Sequence, residues 1–343
     1  MVKAGIIGAT GYAGVELIRL LLSHPQVFLC KIASVRFEGR QISEMYPSFF
    51  EIIDNRLCSE DEAIESCDVI FASVPHGVSQ PIAKKCLDKN KVFIDLGADF
   101  RLKNEDEYEK WYGGKFEDKK LHAKSVYGLC EFNREKIKNT NLVANPGCFP
   151  TSIALALMPA IKNNLVQTDN IIIDSKSGAT GAGKSLSDTT HFVTLNEGFH
   201  SYKTGNHRHT PEIEQTLSEM ADKDIKVTFV PHLLPINRGI LSTIYVKKTS
   251  KTLEEIHKIY KDYYKNEFFV KVLDLGKFAD VKNVRLSNFC HISIHEDIHT
   301  GNLIITSAID NMVKGAAGQA IQNMNIVFGF DEKEGLTLSA PAI

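Results

Sequence analysis

The sequence predicts an α/β fold: a doubly wound, Rossmann-type parallel sheet at the N-terminus and a second, α+β domain built on a mixed sheet. Three observations carry this. Short apolar strands alternate with amphipathic helices through the first half of the chain. A glycine-rich loop joins the first strand to the first helix. The second half is dominated by longer strands with few helices between them, the pattern of a mixed or antiparallel sheet. At 343 residues the chain exceeds one ordinary hydrophobic core and suits two domains.

Lys3 to Ile7 reads as the first strand and Val15 to Leu22 as the first helix. Between them lies Gly8-Ala9-Thr10-Gly11-Tyr12-Ala13-Gly14, a G-x-x-G-x-x-G variant of the dinucleotide fingerprint. The glycines allow a tight turn and close approach of a pyrophosphate to the helix N-terminus. The second strand, Phe28 to Ala33, runs into Ser34-Val35-Arg36. An NAD reader usually ends this strand in Asp or Glu, which holds the ribose 2′-hydroxyl. A hydroxyl and a guanidinium suit a 2′-phosphate instead, so NADP(H) is the expected cofactor.

Asp68 to Val74 is the next strand, closed by Pro75-His76-Gly77; Gln80 to Leu87 is helical and Val92 to Leu96 is another buried strand. Residues 104 to 120 are charged and aromatic and read as an excursion over the surface. Leu142 to Ala144 returns as a strand and leads into Asn145-Pro146-Gly147-Cys148-Phe149-Pro150-Thr151, followed by an apolar helix to Lys162. Cys148 therefore stands at a helix N-terminus, where free N–H groups and partial positive charge favour a thiolate. It also stands at the carboxyl end of the sheet, where ligands of such folds bind and a nicotinamide would lie.

In the second half, Asn170 to Lys176, Lys226 to Val230, Gly239 to Lys247, Phe268 to Leu273, Val284 to His295 and Asn302 to Ile309 read as strands. Thr252 to Asn266 and Lys314 to Phe328 read as helices. Gly178-Ala179-Thr180-Gly181-Ala182-Gly183-Lys184-Ser185 fits the phosphate-binding loop of an ATPase in full. It lies mid-chain, without the apolar helix or the parallel βαβ series such a loop needs, so only a softer role is expected: an anion held by backbone N–H groups and Lys184. In His207-Arg208-His209-Thr210-Pro211-Glu212-Ile213, Pro211 and Glu212 open a helix through Met220. Histidines two apart cannot share one helix face, and no further ligands stand at metal spacing, so no metal is expected. A general acid/base beside the thiolate is the sharper role for this cluster.

Composition bounds the function class. Apolar residues make up 43% and charged residues 24%, and the net charge is -2, which advertises neither nucleic acid nor an anionic membrane as partner. No apolar run is long enough to cross a bilayer. Seven cysteines at irregular spacing, with no C-x-x-C, argue against a disulfide framework or a zinc site. With no signal-peptide layout after Met1, a reducing, cytoplasmic setting is expected.

Five blocks, spanning nearly the whole chain in order, resemble the longer, type 1 form of the N-acetyl-γ-glutamyl-phosphate reductase family. They are the glycine loop at Gly8 to Gly14, Asp95-Leu96-Gly97-Ala98-Asp99-Phe100-Arg101-Leu102, the Asn145 to Thr151 block, the His207 to Ile213 block, and Ala308-Ile309-Asp310-Asn311-Met312-Val313-Lys314-Gly315-Ala316-Ala317-Gly318-Gln319-Ala320. The departures are mild: Gly97 where Ser is usual, Cys130 where Pro is common, and Lys184 where Arg is commoner. The last leaves the anion contact open.

The resemblance implies NADPH-dependent reduction of N-acetyl-L-glutamyl 5-phosphate to the semialdehyde in arginine biosynthesis, with release of phosphate. Cys148 would displace phosphate to form a thioester, hydride from the nicotinamide would reduce it, and His209 would move the proton as the adduct collapses. Backbone N–H groups at the start of the Cys148 helix would serve as oxyanion donors. Cofactor contacts are expected from Gly8, Thr10, Gly11, Tyr12, Ala13, Gly14, Ser34, Arg36, Ser73, Pro75, Asn311 and Gly315. Substrate contacts are expected from Arg101, Asn145, Ser177, Gly178, Gly181, Lys184, His207, Glu212 and Arg238, the last serving a carboxylate or bridging the domains. The family also brings the final helix back against the first domain. That places an NADP-binding domain at 1–147, completed by a C-terminal helix at 314–343, and a catalytic and oligomerisation domain at 148–313. A homo-oligomer, dimer or tetramer, is expected. Aspartate-semialdehyde dehydrogenase, with the same architecture and cysteine chemistry, is the nearest rival; the His207 to Ile213 block favours the reductase.

Overall fold

The structure is a computed structural model that describes residues 1–342. The chain divides into two compact units: Met1–Pro146 with Ala316–Thr337, and Gly147–Gly315 with Leu338–Ile343.

The first unit carries a seven-stranded sheet in the order β3-β2-β1-β4-β5-β7-β6. Its strands are β1 (Val2–Ile7), β2 (Val27–Ala33), β3 (Leu57–Cys58), β4 (Val69–Ala72), β5 (Val92–Asp95), β6 (Val126–Tyr127) and β7 (Leu142–Ala144), and every pairing is parallel. Parallel sheets are covered on both faces; β4 accordingly reads Val-Ile-Phe-Ala with every residue buried. The order reverses between β1 and β4, which makes the ends of these two strands the switch point where such sheets bind ligands.

Two segments of this unit depart from expectation. The 104–120 excursion is largely helical: Glu105–Tyr112 and Lys119–His122 are helices, begun by Asn104 and Asp118, whose side chains accept the N–H groups of Glu107 and of Lys120 and Leu121. Good caps in both helices, and an acidic first turn in Glu105–Tyr112, form helices that a weak apolar stripe conceals; in Glu105–Tyr112 Tyr108 alone is buried, 1% exposed.

The final helix is shorter than 314–343. A wide π turn spans Val313–Ala317, closed by the Gly315 N–H donating five residues back to Asp310 O at 2.9 Å. The regular helix is Gly318–Phe328, stopped by Gly329 in the left-handed conformation, φ 71°. This helix belongs to the first unit. Asn323 Nδ2 donates to Gly128 O at 2.8 Å and to Asn145 Oδ1 at 3.0 Å, and Gln319 Nε2 donates to Gly128 O at 2.7 Å. Cys130 stands at the first position of the helix Cys130–Ile137, a place where Pro is ordinarily at home; its thiol reaches Asn323 Oδ1 at 3.1 Å.

The second unit holds a mixed seven-stranded sheet, β12-β13-β14-β11-β8-β10-β9, made of β8 (Ile171–Ser177), β9 (His200–Ser201), β10 (Val227–Leu233), β11 (Ile240–Lys247), β12 (Val270–Val272), β13 (Cys290–Glu296) and β14 (Asn302–Ile309). Burial alternates along β11, the period-two pattern of a sheet with one covered face. The helix Cys148–Lys162 is buried from Phe149 to Ile161. Its carbonyls at Ala156 and Leu155 accept Tyr260 OH at 2.8 Å and Tyr264 OH at 2.5 Å. The strand expected from Val284 begins only at Cys290, because Leu286 adopts a positive φ of 63° that no strand accommodates.

Candidate active site

The glycine loop leaves β1 with Gly8 at φ 83°. A Cβ there would lie 2.2 Å from Ser73 O, and one at Gly14 would lie 2.4 Å from Gly8 O. Both positions exclude any side chain, and Ser73 thereby stands against the loop. Gly11 caps the helix Tyr12–Leu21 in extended conformation, and a Cβ on it would meet nothing nearer than Gly8 O at 3.4 Å. The loop thus closes on itself behind while leaving its outer face and the helix N–H groups, next to Tyr12 and Ala13, open to a phosphate. Thr10 Oγ1 lies 3.2 Å from Ser34 Oγ, and Tyr46 OH donates to Thr10 O at 2.9 Å. Arg36 lies in the short 3₁₀ turn Val35–Phe37 at the end of β2, exposed, its guanidinium 5.3 Å from the Phe37 ring centroid. Pro75 is exposed in the loop beyond β4. A glycine cradle and a helix N-terminus, with the Ser34 hydroxyl and the Arg36 guanidinium at the end of β2, form a donor set that fits a nicotinamide dinucleotide.

In the second unit, Cys148 is the first residue of its helix, half-buried, with Gly147 as N-cap at φ -68°, ψ 156°. Both polar backbone groups of Gly147 are held by side chains: its N–H donates to Glu212 Oε1 at 2.8 Å, and its carbonyl accepts Thr151 Oγ1 at 2.9 Å. Gly315 presses on Cys148, since a Cβ there would lie 2.8 Å from Cys148 Cβ. Burial pushes the thiols of Cys67 and Cys86 up to about 12. They are inert core residues, whereas Cys148 stands at a helix N-terminus.

His207 and His209 take different parts. His207 Nδ1 accepts the backbone N–H of His209 at 3.0 Å. The His207 ring stands edge-on to Phe149, Tyr202 and Phe229, with centroids 5.4 to 5.6 Å apart. Burial, with the charges of His209 and Lys203, drives its pKa down to about 2, so it stays neutral and orients its neighbour. His209 is only half-buried, and its ring centroid lies 5.9 Å from that of Phe149, the residue after Cys148. Tyr202 was not foreseen. Burial, with the Cys148 charge adding to it, raises its pKa, and its ring stands 5.6 Å from that of His207; it lies in no recognisable motif.

Ser177, Gly178, Gly181, Asn311 and Arg238 converge. Gly178 packs so closely that a Cβ would lie 2.7 Å from Asn237 O. Asn311 Oδ1 accepts Gly239 N–H at 2.8 Å and its Nδ2 donates to Thr180 Oγ1 at 3.0 Å. Ser177 Oγ donates to Gly178 O at 3.0 Å. Arg238 Nη1 lies 3.7 Å from the fully buried Asp310 carboxylate. The ATPase-like loop is a 3₁₀ turn, Ala179–Ala182, with Lys184 exposed beyond it, not a loop entering a helix. In the first unit, Arg101 is 7% exposed and donates to Asn145 O and to Leu96 O, each at 2.8 Å. Asn145 Nδ2 donates to Ala316 O at 3.1 Å.

Among the described residues, no helix is long and apolar enough to cross a membrane.

Residues 3–140 match the family model described as the semialdehyde dehydrogenase NAD binding domain, and residues 148–311 the one described as the semialdehyde dehydrogenase dimerisation domain. The first unit is accordingly a domain for a nicotinamide cofactor. The solved structures of aspartate semialdehyde dehydrogenase II from Vibrio cholerae in complex with ASA, and of aspartate semialdehyde dehydrogenase with NADP from Candida albicans, superpose with TM-scores of 0.74 and 0.73. Each covers 96% of this chain and 98% of its own, at 17% and 16% identity. They share the fold. Proteins named N-acetyl-gamma-glutamyl-phosphate reductase are far nearer in sequence. Those of Clostridium beijerinckii, Clostridium botulinum (strain Eklund 17B) and Brachyspira hyodysenteriae are 61%, 59% and 55% identical, each alignment covering 100% of both chains. With the glycine loop, the cysteine at its helix N-terminus and the two-histidine block in their family order, the chain belongs to the N-acetyl-gamma-glutamyl-phosphate reductases.

Proposed function

We propose that this protein reduces N-acetyl-L-glutamyl 5-phosphate to N-acetyl-L-glutamate 5-semialdehyde with NADPH, releasing phosphate, as a step of arginine biosynthesis in the cytoplasm. The observation that carries the reading is Cys148 at the first position of a buried helix, its preceding turn held by Glu212 and Thr151. Helix N–H groups and the macrodipole favour the thiolate. The thiolate attacks the acyl carbon, the C–S bond forms, the C–O bond to phosphate breaks, and the thiol proton, taken by His209, departs with phosphate. Bound NADPH supplies the hydride that reduces the thioester. N–H groups at the helix start hold the oxyanion; as it collapses, the C=O bond re-forms, the C–S bond breaks and the aldehyde leaves, and His209 relays a proton from solvent to the departing thiolate, which restores the starting thiol. Ser34 and Arg36 favour NADP over NAD, because a hydroxyl and a guanidinium bind a 2′-phosphate. Gly178, Gly181 and Lys184 hold the phosphate end. The second domain is the catalytic and oligomerisation domain of a homo-oligomer.

The test runs the reaction backwards. Phosphate-dependent NADP reduction is expected with N-acetyl-glutamate semialdehyde and not with aspartate semialdehyde; equal rates with both would overturn the substrate assignment. Cys148→Ser abolishes turnover while NADPH still binds, and substantial residual activity would remove the thioester.

A further inference from the structure

Glu212 occupies the third position of its helix, Thr210–Ala221, whose N-cap residue is His209. A Glu at that position ordinarily turns back to the backbone N–H of its own N-cap residue. Here that N–H is already taken by His207 Nδ1, at 3.0 Å. Glu212, 0% exposed, instead reaches the N-cap residue of the other helix, Gly147, whose N–H it accepts at 2.8 Å. The helix that carries His209 thus supplies the cap for the helix that carries Cys148. Phe149, immediately after the nucleophile, stands edge-on to both histidine rings and packs the same junction.

A carboxylate next to a thiolate opposes its ionisation. Its presence here is accounted for by geometry: it fixes the backbone one residue before the nucleophile, and through its own helix it ties that backbone to His209. On the thioester reading above, we propose that Glu212 is a positioning residue, a cross-helix cap that sets Cys148 against His209, rather than a ligand of the substrate.

Three variants test this. Glu212→Gln keeps an oxygen able to accept the Gly147 N–H; Glu212→Asp keeps the charge but shortens the reach; Glu212→Ala keeps neither. Turnover of the acyl phosphate and the rate of Cys148 alkylation by iodoacetamide, followed by peptide mass spectrometry, are measured on each folded protein. The Gln variant is expected to stay within about threefold of the parent in kcat. The Asp and Ala variants are expected to fall by up to about 100-fold, the cost of an ångström-scale misplacement, with KM for the acyl phosphate nearly unchanged and alkylation altered in parallel. If Ala does not fold, Gln against Asp decides. Asp surviving while Gln fails, or a rise in KM with kcat intact, overturns the proposal in favour of a charge contact to substrate. An unmodified protein without reductase activity would sink the functional reading instead, and the alkylation rates would still test the cap.

Discussion

Two buried carboxyl groups share one hydroxyl in the first unit, and their protonation yields a sharp prediction. Ser79 Oγ lies 3.0 Å from Asp95 Oδ2 and 2.9 Å from Asp99 Oδ2, yet it has one proton to give. Asp99 also collects Gly77 N–H at 2.6 Å, Ser79 N–H at 3.0 Å and Tyr108 OH at 2.8 Å. Asp95 receives only Gly97 N–H, at 2.9 Å. The count closes if Asp95 carries a proton and donates it to Ser79 Oγ. Burial first, and then the Asp99 charge, push the Asp95 carboxyl up from 3.8 to about 7, against the opposing pull of Arg101.

Between those values the folded protein holds a proton that the unfolded chain has released. The stabilisation is therefore complete below the unfolded value and lost as pH rises through about 7. At about 1.4 kcal/mol per pH unit, the loss from pH 5 to pH 8 is roughly 3 kcal/mol. Asp95→Asn mimics the protonated acid: its amide donates to Ser79 Oγ and its oxygen accepts Gly97 N–H. Urea unfolding followed by Trp111, the one tryptophan of the chain, reports on this unit. The stability of Asp95→Asn relative to the parent is expected to rise by roughly 3 kcal/mol between pH 5 and pH 8. Parallel pH curves for the two proteins would refute a protonated Asp95.

Two more predictions address the site. Arg36→Ala should weaken NADPH by about tenfold, the loss of one charge-assisted contact, and leave NADH unchanged; an unaltered preference in cofactor titrations would show that Arg36 does not read the 2′-phosphate. Gly315→Ala puts a methyl 2.8 Å from Cys148 Cβ, so it should lower stability by about 1–3 kcal/mol through overpacking and reduce kcat more than NADPH affinity; full activity would mean that the backbone yields there freely.

The sequence already carried both sheets, because unbroken apolar strands and the glycine loop are local patterns, and the helix start at Cys148, because Gly147, Cys148 and Pro150 mark it. It concealed the helix Glu105–Tyr112, whose single buried anchor, Tyr108, leaves no stripe to detect. It gave no sign of the positive φ at Leu286 that delays β13, nor of the π turn at Val313–Ala317 that brings Gly315 to Cys148.

Residue type and spacing by themselves supplied the groups of the proposed chemistry: a thiol at a helix N-terminus, an imidazole pair and a dinucleotide loop. Tertiary structure alone decided the division of labour. Burial and the bond from His209 N–H make His207 a neutral support, the distant Glu212 becomes the cap of the Cys148 helix, and Tyr202 packs edge-on to His207 from a segment without a motif. Hydrogen-bond partners and desolvation are set by residues far apart in the chain, and no local pattern encodes them.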